Sequence, residues 1–477
     1  MAGIESINKL VWFHGLLPRE EVKLLLAKNG DFLVRMSEPS PGQSRHLVLS
    51  VMANQDDPNR DGAMHYVIRT NDGRYSITDK DSYNTLVDLI NHHKTARINE
   101  EVVNSLLINA IPRQSWELNH DDVTMTKTLG EGAFGEVRLG TLKTPGRNID
   151  VAVKCAKLDK CTKEQIKEIT TEARLMRNFD HRNVVRCYGV AAIDEPLLVV
   201  MELVQGGGLD SYLTKNSVLW PEKMDVIGQV AAGLAYIHSK MIMHRDIAAR
   251  NVLYGNGTAK VSDFGLSRVG AQYQMDPNKK APIRWLSPET LQTFLYTQAT
   301  DVFSFGVLCW EVIENGTMPY PGMLVAEVHA KVVKEDYRMA VNPAAPEPLK
   351  ELIRKCWLRD PLQRMTMEQA RLFCATSSFT SKTKEPGSAV KQRSMSVERA
   401  KMIGLSDPRK EKTGFGNPNR TNRRLHNKKK LPSSAPPSAG SGSLSNNRSL
   451  SLKVTSSGKD RKKEGGGEQK KKHKKRE

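Results

Sequence analysis

The 477-residue chain is poor in aromatic residues, at 6%, and has no apolar run near the roughly 18 residues that a membrane span needs. Its start, MAGIESINKL, lacks the basic segment and apolar core of a secretory signal, and Ala2 stands where N-myristoylation requires glycine. The six cysteines (Cys155, Cys161, Cys187, Cys309, Cys356, Cys374) are scattered and form no C-x-x-C pair, the usage of a reducing compartment. These absences predict a soluble, intracellular, cytoplasmic protein with only peripheral membrane contact. A chain this long also exceeds the ~150-residue prior for one domain about threefold.

Charge is unevenly spread. Lys+Arg 72 against Asp+Glu 53 leaves +19, which by itself points to a nucleic-acid or membrane-surface binder. Residues 1–375, however, hold 45 of each sign, and residues 376–477 hold 27 basic and 8 acidic, so the last segment carries the whole excess. That segment is rich in Ser, Lys, Gly, Pro and Asn, with the runs NRRLHNKKKLP and QKKKHKKRE, and it is expected to be a disordered basic tail. With aromatic residues for base stacking nearly absent, nucleic acid is a poor partner for it. An acidic lipid surface, such as the inner face of the plasma membrane, fits the same charges, and a nuclear-import reading of residues 422–431 stays open.

Residues 12–112 read as helix, strands, helix. Pro18 opens the apolar-periodic PREEVKLLLAK and Gly30 follows it, the asymmetry of a helix start and stop. DFLVRMS, HLVLSVMA and MHYVIRT are strand-like, and Asp72-Gly73 predicts a hairpin into RYSIT. Asn84 is the expected N-cap of TLVDLINHH. Residues 113–122 form a short linker containing Trp116. From residue 123 the chain is first strand-like (VTMTKTL, EVRLGTL, DVAVKC) and then helical, with Ile227, Val230, Leu234 and Ile237 spaced to share one helix face. The fold class is α+β, with a β-rich small lobe before a larger helical lobe across residues 123–375.

Phosphate chemistry is written twice. Gly130-Glu131-Gly132-Ala133-Phe134-Gly135-Glu136-Val137 is a glycine loop between two strands, followed by Val151-Ala152-Val153-Lys154 on a third. A Rossmann fingerprint would instead open a helix. Glycines let backbone N–H groups close over phosphate oxygens, and Lys154 supplies a point charge to them. Glu172 is the candidate anion for orienting Lys154, against the alternative of a solvated helix carboxylate. Met243-His244-Arg245-Asp246-Ile247-Ala248-Ala249-Arg250-Asn251 and Ser262-Asp263-Phe264-Gly265 follow in order. Together these motifs resemble a protein kinase domain.

That resemblance implies ATP with Mg²⁺ or Mn²⁺, Asp246 as proton acceptor for the substrate hydroxyl, and Asn251 with Asp263 as metal ligands. It also implies a nucleotide site formed by Leu129, Gly130, Glu131, Gly132, Ala133, Phe134, Gly135, Val137, Ala152, Lys154, Met201, Glu202 and Val204. Ala248 stands where serine/threonine kinases carry lysine, and the cation comes at Arg250, the order found in tyrosine kinases. Pro282-Ile283-Arg284-Trp285 and Pro319-Tyr320-Pro321-Gly322 agree with a tyrosine-directed enzyme. The competing reading, a pseudokinase scaffold, would lack one or more of Lys154, Glu172, Asp246, Asn251 and Asp263, and all five are present.

Trp12-Phe13-His14-Gly15, Phe32-Leu33-Val34-Arg35 and His65-Tyr66 resemble an SH2 domain. Arg35 interrupts an apolar strand with no acid at a neighbouring inward position, so an external dianion is its natural partner. The resemblance adds Arg19, Ser37 and His65 to a phosphotyrosine pocket, and Met36, where glutamate is common, is expected to point away from it. Leu107 to Pro112, Trp116, His120-Asp121-Asp122-Val123 and the glycine loop are similar to the Fes/Fps/Fer non-receptor tyrosine kinases, with Tyr273 at their activation-loop tyrosine. Only eleven residues precede Trp12, so the F-BAR region of that group is expected to be missing. Phe303 and Met365, where tryptophan and proline are usual, are read as structural departures. In the Fes-like arrangement the SH2 domain leans on the small lobe and steadies the helix that bears Glu172.

Overall fold

In a computed structural model the described residues are 7–38, 44–57, 59, 61–79, 81–102, 104–132, 135–156 and 162–376. The tail beyond Thr376, together with Ala133, Phe134 and Cys161, lies outside the described residues.

Pro18 holds φ at −65° and leads into α1 (Arg19–Leu25). The strands β1 (Asp31–Ser37), β2 (His46–Met52), β3 (Ala63–Asn71) and β4 (Arg74–Ser76) pair antiparallel in sequence order. Asp72 and Gly73 both take left-handed φ, 49° and 77°, which matches the twist of a two-residue hairpin between β3 and β4. Helix α2 (Leu86–His92) follows, and β5 (Asn109–Ala110) closes the sheet beside β1 in parallel. The cap of α2 corrects the expected one: Thr85, not Asn84, is the N-cap, and its hydroxyl accepts from the Asp88 N–H at 3.0 Å. Both residue types can cap, but Thr85 is the one whose extended backbone (φ −129°, ψ 156°) aims an oxygen at the first helical turn.

Alternation along β1 places the sheet between two helices. Phe32 and Val34 pack with Leu86, Leu89 and Ile90 of α2, while Leu33 packs with Val22 and Leu26 of α1. Arg35 follows Leu33 on the α1 side, so its guanidinium is carried into that layer.

The second sheet runs in the order β6 (Val123–Gly132), β7 (Gly135–Thr144), β8 (Arg147–Ala156), β10 (Leu197–Glu202), β9 (Cys187–Ala191). Between β8 and β9 lies α3 (Lys163–Arg177), opened by a capping box of Thr162 and Gln165. The large lobe is built on α4 (Leu209–Lys215), α5 (Trp220–Ser239), α6 (Pro288–Thr293), α7 (Gln298–Ile313), α8 (Val325–Lys334), α9 (Glu347–Cys356) and α10 (Met367–Cys374). The face predicted for Ile227, Val230, Leu234 and Ile237 is buried in α5. Phe303 is fully buried in α7, with the guanidinium groups of Arg338 and Arg364 5.1 and 5.2 Å from its ring centroid.

The linker is packed rather than slack. Trp116 O accepts from Val190 N at 2.8 Å and Leu118 N donates to Val190 O at 2.9 Å, so the linker runs parallel to the β9 edge. Leu16 N donates to Ala192 O at 2.9 Å, and a Cβ on Gly15 (φ +57°) would sit 2.2 Å from that same oxygen. Only glycine permits that approach. Helix α1 then meets α3 through charge: Glu20 pairs with Lys167, and Glu21, 4% exposed, pairs with Arg174 at 3.4 Å and Arg177 at 3.0 Å. Arg177 also lies 3.5 Å over the Trp116 ring.

Removing one partner of a buried ion pair strands the other. Glu21→Ala is therefore expected to cost about 2–3 kcal/mol, less than the ~3–5 of a fully dry pair because both arginines keep some water contact. Urea unfolding followed by tryptophan fluorescence should show a lower midpoint and two separated transitions in place of one.

Candidate functional site

Register assembles the first half of the site. Val137 faces Lys154 across β7 and β8, and Ala152 faces Met201 across β8 and β10, so these four side chains share one face of the small-lobe sheet. Leu129 lies at the exposed end of β6, and Gly130 pairs with Val137. A Cβ on Gly135 (φ +152°) would meet Cys155 O at 2.0 Å, so the return strand of the glycine loop needs its missing side chain. The Glu202 carboxylate pairs with Lys260 at 3.0 Å, which leaves the backbone from Met201 to Val204 as the polar surface at that edge.

Helix α3 delivers Glu172 to Lys154, Oε2 to Nζ at 2.8 Å. Burial raises the Glu172 carboxyl above its ordinary value, with the Lys154 cation opposing that rise. The sequence left a solvated glutamate as the alternative, and the pair excludes it.

The second half is held from below by two buried carboxylates. Asp301 on α7 accepts from His244 N at 2.8 Å, Arg245 N at 3.0 Å, the Tyr296 hydroxyl at 2.7 Å and the His238 ring at 2.9 Å. Although burial opposes ionisation, these partners keep its carboxyl below the ordinary value. Glu311, one α7 segment further on, accepts from Ala249 N and Trp285 Nε1, both at 3.0 Å, and burial pushes it up to about 7. Between them hangs the loop of Asp246: Arg250 pairs with the Asp246 carboxylate and lies 4.3 Å over the Trp285 ring, while Asn251 Nδ2 donates to Asp246 O at 2.7 Å.

Phe264 is buried between Phe179 and His244, at 4.9 Å from each ring, and Asp263 beside it takes φ +62°. Asp246, Asp263 and Gly265 line a cavity of about 280 Å³ whose far wall is Tyr273, Lys279, Lys280 and Pro282. The Tyr273 ring rests 4.0 Å from the Arg245 guanidinium and 5.4 Å from that of Arg268. Asp263 and Asn251 offer hard oxygen donors, and among the described residues no cluster of three or more His, Cys, Asp or Glu could cage a metal. That set fits a divalent cation of the Mg²⁺ type, which takes one or two protein oxygens and completes its shell with phosphate and water.

The other centre lies in the amino-terminal sheet. Arg35 is 2% exposed; its Nε donates to Ser50 Oγ at 3.3 Å and its Nη1 to Leu17 O at 3.2 Å, and no carboxylate pairs with it among the described residues. Burial lowers its pKa to about 10, so it remains cationic at neutral pH. His65 Nδ1 shares the Ser50 hydroxyl at 2.9 Å. Arg19, Arg35, Ser37 and His65 all border one cavity of about 310 Å³. Met36 follows Arg35 on β1, so its side chain lies with those of Phe32 and Val34 on the opposite face of the strand, half-buried against their layer, while the residue also borders the cavity.

Ser50, Arg45 at the same cavity, Asp301 and Glu311 were not singled out by the sequence reading. Ser50 sits in an ordinary strand run, and the two acids sit in a helix whose pattern reads only as buried. Their roles come from register and tertiary contact.

Burial, reinforced by the Arg35 and Arg19 cations, lowers the His65 pKa to about 4. The unfolded chain binds this proton near pH 6.5, so between about 6.5 and 4 the unfolded state takes up a proton that the native ring refuses. Stability from this group should rise with pH across that window and be level outside it. NMR titration of the His65 ring should place its midpoint near pH 4, and His65→Gln should flatten that part of the stability curve.

Comparison with known proteins agrees with both centres. Residues 123–372 match the family described as protein tyrosine and serine/threonine kinase, and residues 12–93 match the SH2 domain. Fer-related kinase 1 of Caenorhabditis elegans is 36% identical over 371 residues, 76% of this chain and 93% of that protein. Tyrosine-protein kinase Fer of Rattus norvegicus is 39% identical over 362 residues, 74% of this chain but 42% of its own length. The Abl transforming protein of Abelson murine leukemia virus is 34% identical over 382 residues, 76% of this chain and 49% of its own. The chain thus spans nearly all of the nematode relative and less than half of the rat one. With a Lys154–Glu172 pair, an Asp246 loop and a buried arginine that meets no carboxylate among the described residues of the SH2 cavity, it belongs to the Fer-related, SH2-containing protein tyrosine kinases.

Proposed function

We propose that the chain transfers the γ-phosphoryl group of ATP to tyrosine hydroxyls of proteins and is directed to them by phosphotyrosine. The observation that carries this reading is that the Lys154–Glu172 pair and Asp263 meet at Gly265, which with Asp263 and Asp246 lines one cavity. Lys154, oriented by Glu172, holds the α- and β-phosphates under the glycine loop from Gly130 to Gly135. Val137, Ala152 and Met201 form the apolar seat, and the backbone from Met201 to Val204 reads the base edge. Asp263 and Asn251 would hold a divalent cation, Mg²⁺ or Mn²⁺, which when bound would neutralise charge on the phosphate oxygens. The tyrosine hydroxyl enters the cavity between Asp246 and Pro282, and Asp246 takes its proton as the new O–P bond forms and the bond from the γ-phosphorus to the bridging oxygen breaks, releasing ADP. Arg250, anchored on Trp285 four residues along the loop, holds the Asp246 carboxylate and leaves room for a substrate backbone set further out than a serine would allow. Phosphoryl transfer asks for position and charge more than for covalent chemistry, and this arrangement supplies both.

In the SH2 centre, Arg35 binds the phosphotyrosine dianion in a charge-assisted, bidentate contact, with Arg19, Ser37, Ser50 and His65 completing the pocket. No helix among the described residues is long and apolar enough to cross a membrane. We read the chain as cytoplasmic, with the basic tail as a peripheral contact for an acidic membrane.

Purified protein on matched Tyr, Ser and Thr peptides tests the activity directly: only tyrosine should be labelled. Asp246→Asn keeps shape but loses the proton acceptor, so kcat should fall well over tenfold, more than about 1.4 kcal/mol, while ATP binding persists. A smaller loss removes Asp246 from its role. Tyr273 lies in a short strand, Gln272–Gln274, paired with Leu295–Thr297, and faces two arginines that an added phosphate would pair with, so autophosphorylation there should raise the rate and Tyr273→Phe should lower it without abolishing it; phosphatase treatment that leaves the wild-type rate unchanged rejects this. A phosphotyrosine peptide added in trans should stimulate activity on an unrelated tyrosine peptide, through α1 and α3, and should fail to do so in Arg35→Ala.

A further inference from the structure

The cavity over Arg35 is not walled by the SH2 domain alone. Ile166 and Lys167 of α3, in the kinase small lobe, close one side of the same 310 Å³ space. Lys167 extends from the outer face of the helix whose inner face carries Glu172, and its ammonium group pairs with Glu20, the residue next to Arg19 on α1. Both partners keep access to water, Lys167 at 56% and Glu20 at 38% side-chain exposure, so the pair can open without a packing change. Glu20 also lies within the field of Arg35, whose cationic form it favours. Of the two glutamates that border the unliganded cavity, Glu20 and Glu38, Glu20 thus pairs with a lysine from the opposite domain.

We infer that Lys167 is a ligand of the phosphotyrosine phosphate, contributed by the kinase lobe to the SH2 pocket. The inference rests on the phosphotyrosine reading of the Arg35 cavity. A phosphate dianion brings about two negative charges where Glu20 has one. The lysine head is a point charge on a flexible stem, so it can leave Glu20 for the phosphate by rotation of its own side chain. Ligand binding then joins the two domains through the phosphate itself, and the recognition site exists in full only when α1 is docked on α3.

The experiment measures the Kd of a fluorescent phosphotyrosine peptide on the full chain, with phenyl phosphate as competitor, for the wild type, Lys167→Met, Glu20→Gln and the double variant. Lys167→Met should weaken both probes about three- to fivefold, the size of a half-exposed charge contact. Glu20→Gln should tighten them. The double variant is decisive: a lysine that ligates phosphate still costs affinity when Glu20 is already neutral, whereas one that merely neutralises Glu20 costs nothing in that background. Loss of the lysine effect in the Glu20→Gln background, or no effect of Lys167→Met at all, overturns the inference. Arg35→Ala separates the two levels, since retention of binding in that variant overturns the phosphotyrosine reading, and its loss alongside an indifferent Lys167→Met overturns only the role of the lysine.

Discussion

Helix α3 is the member on which both centres lean. It has fifteen residues, and its two long faces carry opposite obligations: Glu172 must reach inward to Lys154, while Lys167, Arg174 and Arg177 must reach outward to Glu20 and Glu21. A helix in a small lobe, packed on one sheet, has few other contacts to set its tilt. Here the outward face is held by one buried carboxylate, Glu21, between two arginines and by the exposed Lys167–Glu20 pair, and the cation–π contact of Arg177 with Trp116 ties the same helix to the linker. The position of Glu172, and with it that of Lys154, is therefore set partly from another domain.

The large lobe works differently. Its Asp246 loop is suspended from α7, a helix buried along nearly its whole length, through two carboxylates that take up five backbone or ring nitrogens and a tyrosine hydroxyl. Charge buried this deeply is stable only when its acceptors are filled, so the loop and the helix define each other. The small lobe is adjustable through surface-accessible pairs, and the large lobe is rigid.

What could be read in the sequence was local. The glycine loop, the Asp246 and Asp263 segments, the DFLVRMS strand and the Asp72-Gly73 turn each declare themselves within a few residues, because backbone geometry and strand period are short-range properties. The interior arginine at position 35 was informative for the same reason: an apolar run with one guanidinium in it has few innocent explanations. Capping failed by one residue because Asn84 and Thr85 are equally suited by type, and only the backbone decides between them. Ser50, Arg45, Asp301, Glu311 and the kinase-lobe wall of the SH2 cavity were not legible. Each depends on residues that are brought together by register or docking across tens to hundreds of positions.

The glycine at position 15 carries a consequence for substrates. Because the chain passes against Ala192 with no room for a side chain, and because the linker is stitched along β9, the SH2 pocket and the Asp246 cleft sit on one frame rather than at two ends of a tether. A tether would accept second tyrosines over a broad range of spacings, weighted only by the statistics of loop closure. A frame imposes a ruler: a protein held by one phosphotyrosine can present its next tyrosine only if the intervening chain is long and pliable enough to turn back across the small lobe.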